Sequence, residues 1–295
     1  MNGSDQVGAG WDFAHARALV PEAVVSAVGY RSELPAPALH RGAPSPAVTL
    51  VVTLDEPVVT GSTRAEAFGS AAQTTHVALG GLHTRPVYLA QPRVQTGVQL
   101  AIRPLALRAL FGISVAQLRE GTVDGRDVLG PGAELLREQM SELDSWQQRF
   151  AAIENYLRGM LVGTPTRKEP RPEVVEAWHW IARHRGTGSI PGLARHVRLS
   201  ERQLSAVFTG EFGLSPKAVS RLMRFEHARQ RIARAVRAGG ALDLAAIAHA
   251  CGYADHSHLV RDFQQYLGTA PSGWVAEEHR NIQAGVAQPA EEFSA

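Results

Sequence analysis

In the C-terminal third of the chain, apolar positions recur at helical spacing, and the same arrangement of apolar and polar positions occurs twice. The first copy reads SERQLSAVFTGEFGLSP from Ser200 to Pro216 and the second DHSHLVRDFQQYLGTAP from Asp255 to Pro271. At one offset Leu204 matches Leu259, Phe208 matches Phe263, Phe212 matches Leu267, Gly213 matches Gly268 and Pro216 matches Pro271. Upstream, Ile190, Leu193, Ala194 and Val197 match Leu244, Ile247, Ala248 and Cys251 at an offset one residue shorter. Each copy therefore predicts a short helix, a tight turn and a second helix, at about 190–212 and 244–267, and two such units on one chain point to DNA binding.

Local chemistry supports each copy independently. Leu204, Val207, Phe208 and Phe212 form one apolar stripe, as a half-buried helix requires. Ser200 stands at the N-cap with Gln203 three residues on, the capping-box pattern. Gly213 is placed to end the helix in a left-handed turn. The positions left on the outer face are Arg202, Ser205, Ala206 and Thr209, flanked by Gln203. In the second copy Asp255 caps, Leu259, Phe263 and Leu267 pack, and Ser257, His258, Val260, Arg261 and Gln264 face outward. Arg, Gln, Ser and His side chains can hydrogen-bond base edges in a major groove. Between the copies, Ser215 and Pro216 open a helix that runs to about Arg237, before Gly239 and Gly240. Roughly 20 residues at 1.5 Å rise give about 30 Å, close to the roughly 34 Å of one DNA turn. Its arginines, Arg221, Arg224, Arg229, Arg231, Arg234 and Arg237, are expected to be exposed, facing phosphate or solvent.

The first half reads differently. Short β-like runs appear at 48–54, 76–79, 87–90 and 97–102, and in the last of these Val98, Leu100 and Ile102 alternate with Gly97, Gln99 and Ala101. Pro104 then opens a short helix to Phe111–Gly112, Val115–Arg119 is another, and 132–162 is helical with a break near Asp144. Strands followed by helices predict an α+β domain. Trp146, Phe150, Ile153, Leu157 and Met160 follow a 4-3-4-3 spacing. That is the seam of a two-heptad coiled coil and hence a candidate homodimer interface, with packing back onto the chain's own strands as the alternative. Gly163 to Pro172, GTPTRKEPRP, resists both helix and buried strand and reads as a linker.

Charge sharpens the division. Of the 295 residues, 1–165 carry 13 basic and 15 acidic side chains, whereas 166–295 carry 17 and 13. The basic half is the half with the duplication, as phosphate contact requires. One cysteine, Cys251, lies at an apolar position of the second unit, which excludes a disulfide framework or a cysteine zinc site. There is no basic N-terminal segment leading an apolar run and no stretch approaching 18 apolar residues, so a soluble, cytoplasmic protein away from membranes is expected.

On these residues the C-terminal part resembles the AraC/XylS-type DNA-binding domain. The motifs that carry the resemblance are LARHV before LSERQL, GLSPKAV at 213–219, IAHACGYADHSHLVRDF from Ile247 to Phe263, and GTAPSGW from Gly268 to Trp274. The resemblance implies seven helices, recognition helices in major grooves of promoter DNA, transcription regulation, and RNA polymerase as a partner. It carries base reading onto Arg202, Ser205 and Ala206 in the first unit and onto Ser257, His258 and Arg261 in the second. The chain departs from the pattern at Ser205, Ala206, Thr209 and Gly210, where relatives often place Arg or Gln, so the first recognition helix is expected to read few bases. The first half resembles, more weakly, the cupin-like barrel that many such regulators use as sensor and dimerisation domain.

The expected fold is thus an α+β cupin-like β-barrel with helices, followed by an all-α domain of two helix-turn-helix units joined by a long helix. Expected boundaries are 1–162 for the sensor and dimerisation domain, 163–172 for the linker, 173–276 for the DNA-binding domain and 277–295 for a polar tail. Candidate chemistry in the first half is sparse. His15, His40, His76 and His83 are too scattered for a cupin metal site, and residues 1–165 contain no Cys and no Gly-x-Ser-x-Gly elbow. No catalytic residue, metal or cofactor is therefore expected. A ligand cavity for a small-molecule effector is the better reading of a barrel of this size, with His83, Tyr88 and Gln99 as candidate lining groups. The alternatives are a domain that only dimerises, or an enzyme tethered to DNA.

Overall fold

Strand pairing in the first half and capped helices in the second organise the chain, seen here in a computed structural model that describes residues 10–16, 18–118, 121–162, 169–239 and 242–278. Most of the expected linker and tail lies outside the described residues. The strands are β1 (Gly10–His15), β2 (Val24–Glu33), β3 (Ala38–Gly42), β4 (Val48–Thr53), β5 (Val58–Gly61), β6 (Gln73–Thr75), β7 (Val77–Gly80), β8 (Val87–Gln91), β9 (Val94–Ile102) and β10 (Thr122–Asp124). They form one sheet of order β1-β2-β9-β4-β7-β10 and another of order β3-β8-β5-β6, antiparallel throughout. Among the described residues no strand pairing joins the two sheets. The N-terminal half is therefore an open two-sheet arrangement, and the expected cupin-like β-barrel is not closed by strand pairing among the described residues.

Alternation along the central strands gives the large sheet two different faces. Val98, Leu100 and Ile102 of β9 and Val48, Leu50 and Val52 of β4 enter the main core, while Gln99, Ala101, Thr49 and Val51 turn toward the small sheet and line a cavity between the two. Helices α2 (Leu107–Phe111), α3 (Arg126–Leu129), α4 (Gly132–Ser141) and α5 (Trp146–Val162) cover the core face, whereas α1 (Arg64–Ala67) packs on β5 and β8 of the small sheet. α2, α4 and α5 supply Leu107, Leu110, Leu136, Met140, Ile153 and Leu157 to that core.

The heptad on α5 is used internally. Phe150, Ile153 and Leu157 are buried within the chain's own core, Ile153 at 1 % exposure and Leu157 at 0 %, and Trp146 and Met160 lie half-buried against the same cluster. The ring of Trp146 lies directly over Gly29 of β2, where a side chain would collide with it. These residues thus pack within the chain, the alternative that the spacing left open beside a dimer seam, because the sheet face beneath them needs an apolar cover.

Among the described residues seven helices follow: α6 (Pro172–Arg183), α7 (Ile190–His196), α8 (Glu201–Phe212), α9 (Pro216–Arg237), α10 (Leu244–Ala250), α11 (His256–Leu267) and α12 (Pro271–Glu278). Their ends follow the local signals. Ser200 and Gln203 make the capping box, and Gly213 closes α8 at φ 75°. Asp255 accepts from the His258 amide, and Gly268 closes α11 at φ 67°. Ser215 caps α9 with Pro216 in its first turn. The first helix-turn-helix unit shares a core with the N-terminal half, through Trp178, Leu204, Phe208 and Phe212. The second unit has its own core, built from Phe225, Ile232, Leu259, Phe263, Tyr266 and Trp274.

Candidate nucleic-acid interface

The second helices of the two units, α8 and α11, present matching outer faces. On α8, Arg202, Gln203, Ser205, Ala206 and Thr209 are exposed, while Leu204 and Phe208 are fully buried beneath them. On α11, Ser257, Arg261 and Gln264 are exposed above Leu259 and Phe263. Three of the expected DNA-facing groups are engaged locally. Gln203 Oε1 accepts from the Ser200 amide and hydroxyl at 3.1 and 2.9 Å, so half of its amide serves the helix cap. His258 is half-buried, with its ring edge-on to Tyr253 at 5.1 Å, so it braces the turn. Arg261 Nε donates to the Ser257 carbonyl at 3.3 Å, which draws the arginine back along its own helix. His256 and Gln265 are also exposed on α11, outside the set drawn from the sequence.

α9 holds the two faces apart. Its 22 residues span about 33 Å at 1.5 Å per residue. Its arginines divide into two groups, against the expectation that all are exposed. Arg231, Arg234 and Arg237 are exposed, whereas Arg221 and Arg224 are half-buried and Arg229 is buried. Arg221 donates from Nε and Nη2 to Asp262 Oδ1 at 2.8 and 2.6 Å. Asp262 is fully buried on the inner face of α11, so this pair fixes the second recognition helix against α9.

The N-terminal half grips both recognition helices at their C-terminal ends. Arg108 of α2 donates to both carboxylate oxygens of Glu211 at 2.8 Å, a bidentate arrangement on a nearly buried acid. Arg41 of β3 donates to the Leu267 carbonyl at 3.0 Å, occupying one of the carbonyls a helix end leaves open.

The cavity between the sheets measures about 140 Å³ and is closed on one side by Glu226, Arg229 and Gln230 of α9. His83 and Gln99 line it, as do Tyr30, His40, Thr60 and Gln91. Tyr88 does not: on β8 its neighbours Val87 and Leu89 face the cavity, and its hydroxyl lies beside Gly268 at the end of α11. That corrects its assignment as a lining group, since alternate residues of a strand face opposite sides. The α9 contribution carries no local sequence signal. Among the described residues no group of three or more His, Cys, Asp or Glu is placed to hold a metal ion, and no helix is long and apolar enough to cross a membrane.

Comparison with known proteins places both halves. Residues 193–277 match the family profile described as "Helix-turn-helix domain". An apo ToxT variant from Vibrio cholerae superposes with a TM-score of 0.51 at 11 % identity, covering 85 % of this chain and 97 % of that one. Wild-type ToxT from the same organism, bound to an unsaturated fatty acid, gives a TM-score of 0.50 at 11 % identity, covering 84 % and 94 %. The C-terminal domain of AraT, a response regulator from Geobacillus stearothermophilus, is 21 % identical over 36 % of this chain and 86 % of its own, with a TM-score of 0.33. At these identities the likeness is one of fold. No curated protein matches the chain by sequence.

Proposed function

We propose, from the premise that residues 193–277 are an AraC-type helix-turn-helix domain, that this DNA-binding transcription regulator sets α8 and α11 into successive major grooves of promoter DNA and answers to a small molecule held in its N-terminal half. The observation that carries the reading is the pair of exposed recognition faces separated by the 22 residues of α9. About 33 Å matches one turn of B-DNA, so both helices reach the same side of a duplex. Arg202 is the base-reading group of α8, with Ser205, Ala206 and Thr209 as small neighbours. Ser257, Arg261 and Gln264 serve on α11, with His258 positioning the helix start. Exposed Arg231, Arg234 and Arg237 supply phosphate contacts. The effector reading is supported by a cavity walled jointly by the sheets and α9, because an occupant there touches the helix that spaces the two reading heads.

Selection of binding sites from random DNA tests the arrangement. Two constrained segments about one turn apart are expected, with the segment under α11 the stricter, because Arg and Gln discriminate bases better than Ser, Ala or Thr. A single constrained segment, or a stricter segment under α8, would overturn the assignment of roles.

A further inference from the structure

The lining of the cavity specifies its occupant more narrowly than the fold does. Its volume is about 140 Å³. A dry cavity of about 150 Å³ in another protein holds benzene, so the occupant here has on the order of six to ten non-hydrogen atoms. The charged side chains of the lining, Glu226 and Arg229, are paired with each other through Nε–Oε2 and Nη2–Oε1 contacts, both at 2.8 Å. An anion placed against them meets a carboxylate whose cation is already engaged.

Gln230, beside that pair, is 3 % exposed. Its Nε2 donates to Glu226 Oε1 at 2.9 Å. Only the amide nitrogen can donate to a carboxylate, so the orientation of the amide is set. Gln230 Oε1 is left buried in the cavity wall with no hydrogen-bond partner in the protein, a condition native folds rarely leave standing. In the same lining, His83 Nδ1 lies 2.6 Å from the Arg85 carbonyl oxygen and donates to it. The neutral ring then offers Nε2 as an acceptor, and burial pushes His83 below its ordinary pKa, favouring that form.

We propose that the cavity takes a small uncharged molecule bearing at least one hydroxyl or amide N–H donor, directed at Gln230 Oε1, with His83 Nε2 as a second acceptor. This rests on the reading of the N-terminal half as an effector domain and names the class of effector. The cation of the lining, Arg229, is already paired with Glu226, while Gln230 Oε1 and His83 Nε2 stand as acceptors, so a hydroxylated or amide-bearing small molecule matches them.

Calorimetric titration of the full chain with catechol and benzamide as uncharged donors, toluene as an uncharged molecule without donors, and benzoate and oleate as anions tests the class. Catechol or benzamide is expected to bind saturably, and Gln230→Leu to weaken that binding by about tenfold or more. Toluene binding should be indifferent to the substitution. Stronger binding of benzoate or oleate, failure of both uncharged donors to bind, or equal affinity in a folded Gln230→Leu protein would overturn the proposal. Should Gln230→Leu fail to fold by circular dichroism, Gln230→Met replaces it, and the comparison of uncharged with anionic probes stands on the unsubstituted protein. DNA affinity measured with and without catechol separates the two readings. Binding of catechol that leaves DNA affinity unchanged removes the effector role and keeps the ligand class, whereas binding of the anions removes the class.

Discussion

Arg261 leaves α11 between fully buried Leu259 and Phe263, so shortening it removes no core contact. Arg261→Ala is expected to lower affinity for a selected site by about 1–3 kcal/mol, read by fluorescence anisotropy against random DNA. Equal losses on both DNAs would make it a phosphate contact only. His227 on α9 poses a different question. It is 5 % exposed, and burial, with Arg185, Arg231 and Arg234 nearby, pushes its pKa down to about 4. The unfolded chain, with an ordinary histidine, takes up a proton between about pH 6.5 and 4 that the folded chain refuses. Stability is therefore full above about pH 6.5 and falls as pH drops toward 4. Urea unfolding at pH 7 and pH 5 is expected to differ by about 1–2 kcal/mol from this group, and His227→Gln to remove that part of the difference. An unchanged difference in the variant would assign the acid sensitivity to other groups.

At the scale of elements, α5 shows how a periodic stripe acquires its partner. The 4-3-4-3 spacing is equally suited to a second helix or to a sheet. In this chain the sheet and the neighbouring helices claim it, because Gly29 leaves room for the Trp146 ring and Ile153 and Leu157 enter the same core as α2, α4 and the inner faces of β4 and β9. Ile153→Asp would bury a carboxylate without a cation and is expected to cost upwards of about 3 kcal/mol, seen as a large fall in melting temperature by circular dichroism. Full stability together with a smaller particle by light scattering would instead return the stripe to a subunit interface. α9 is divided in the same manner. Its Arg231, Arg234 and Arg237 remain in solvent, while Arg221 and Arg229 are drawn inward by Asp262 and Glu226.

Across the whole molecule, the first helix-turn-helix unit is joined to the N-terminal half by a shared core and by Arg108–Glu211. The second has a separate core and touches that half through Arg41 and Leu267. Two units with unequal anchorage, joined by a helix that walls a cavity, give an occupant of that cavity a route to their relative placement. Arg108→Ala leaves the nearly buried Glu211 carboxylate without its partner and is expected to cost about 3 kcal/mol. Hydrogen exchange should then rise first in α8 and the 3₁₀ turn Val115–Gln117 that packs on it, with α11 unaffected. Uniform exchange increases across both units would mean that the pair serves global stability and not the anchorage of one head.

Sequence alone determined the parts of this protein built by interactions within one or two helical turns. Ser200 with Gln203, Asp255, Ser215–Pro216, Gly213 and Gly268 act on adjacent backbone, so the duplicated units, their caps and the length of α9 are written in local order. The alternation of β9 likewise sorted Gln99 from Leu100 before any partner strand was known. The remaining features depend on which distant segments meet. β2 was not evident because its place rests on pairing Tyr30 with Gly97, and strand pairing leaves no periodic mark on either segment alone. Whether the β-domain closes, which face of β8 carries Tyr88 outward, whether α5 covers a sheet or a second subunit, and which arginines of α9 stay in solvent were decided by docking of whole elements. Gln230 shows this most clearly. In the sequence it is one polar residue on a basic helix, and only the approach of α9 to the two sheets turns its amide oxygen into a buried acceptor facing a cavity, because burial belongs to the contact between elements and not to the residue.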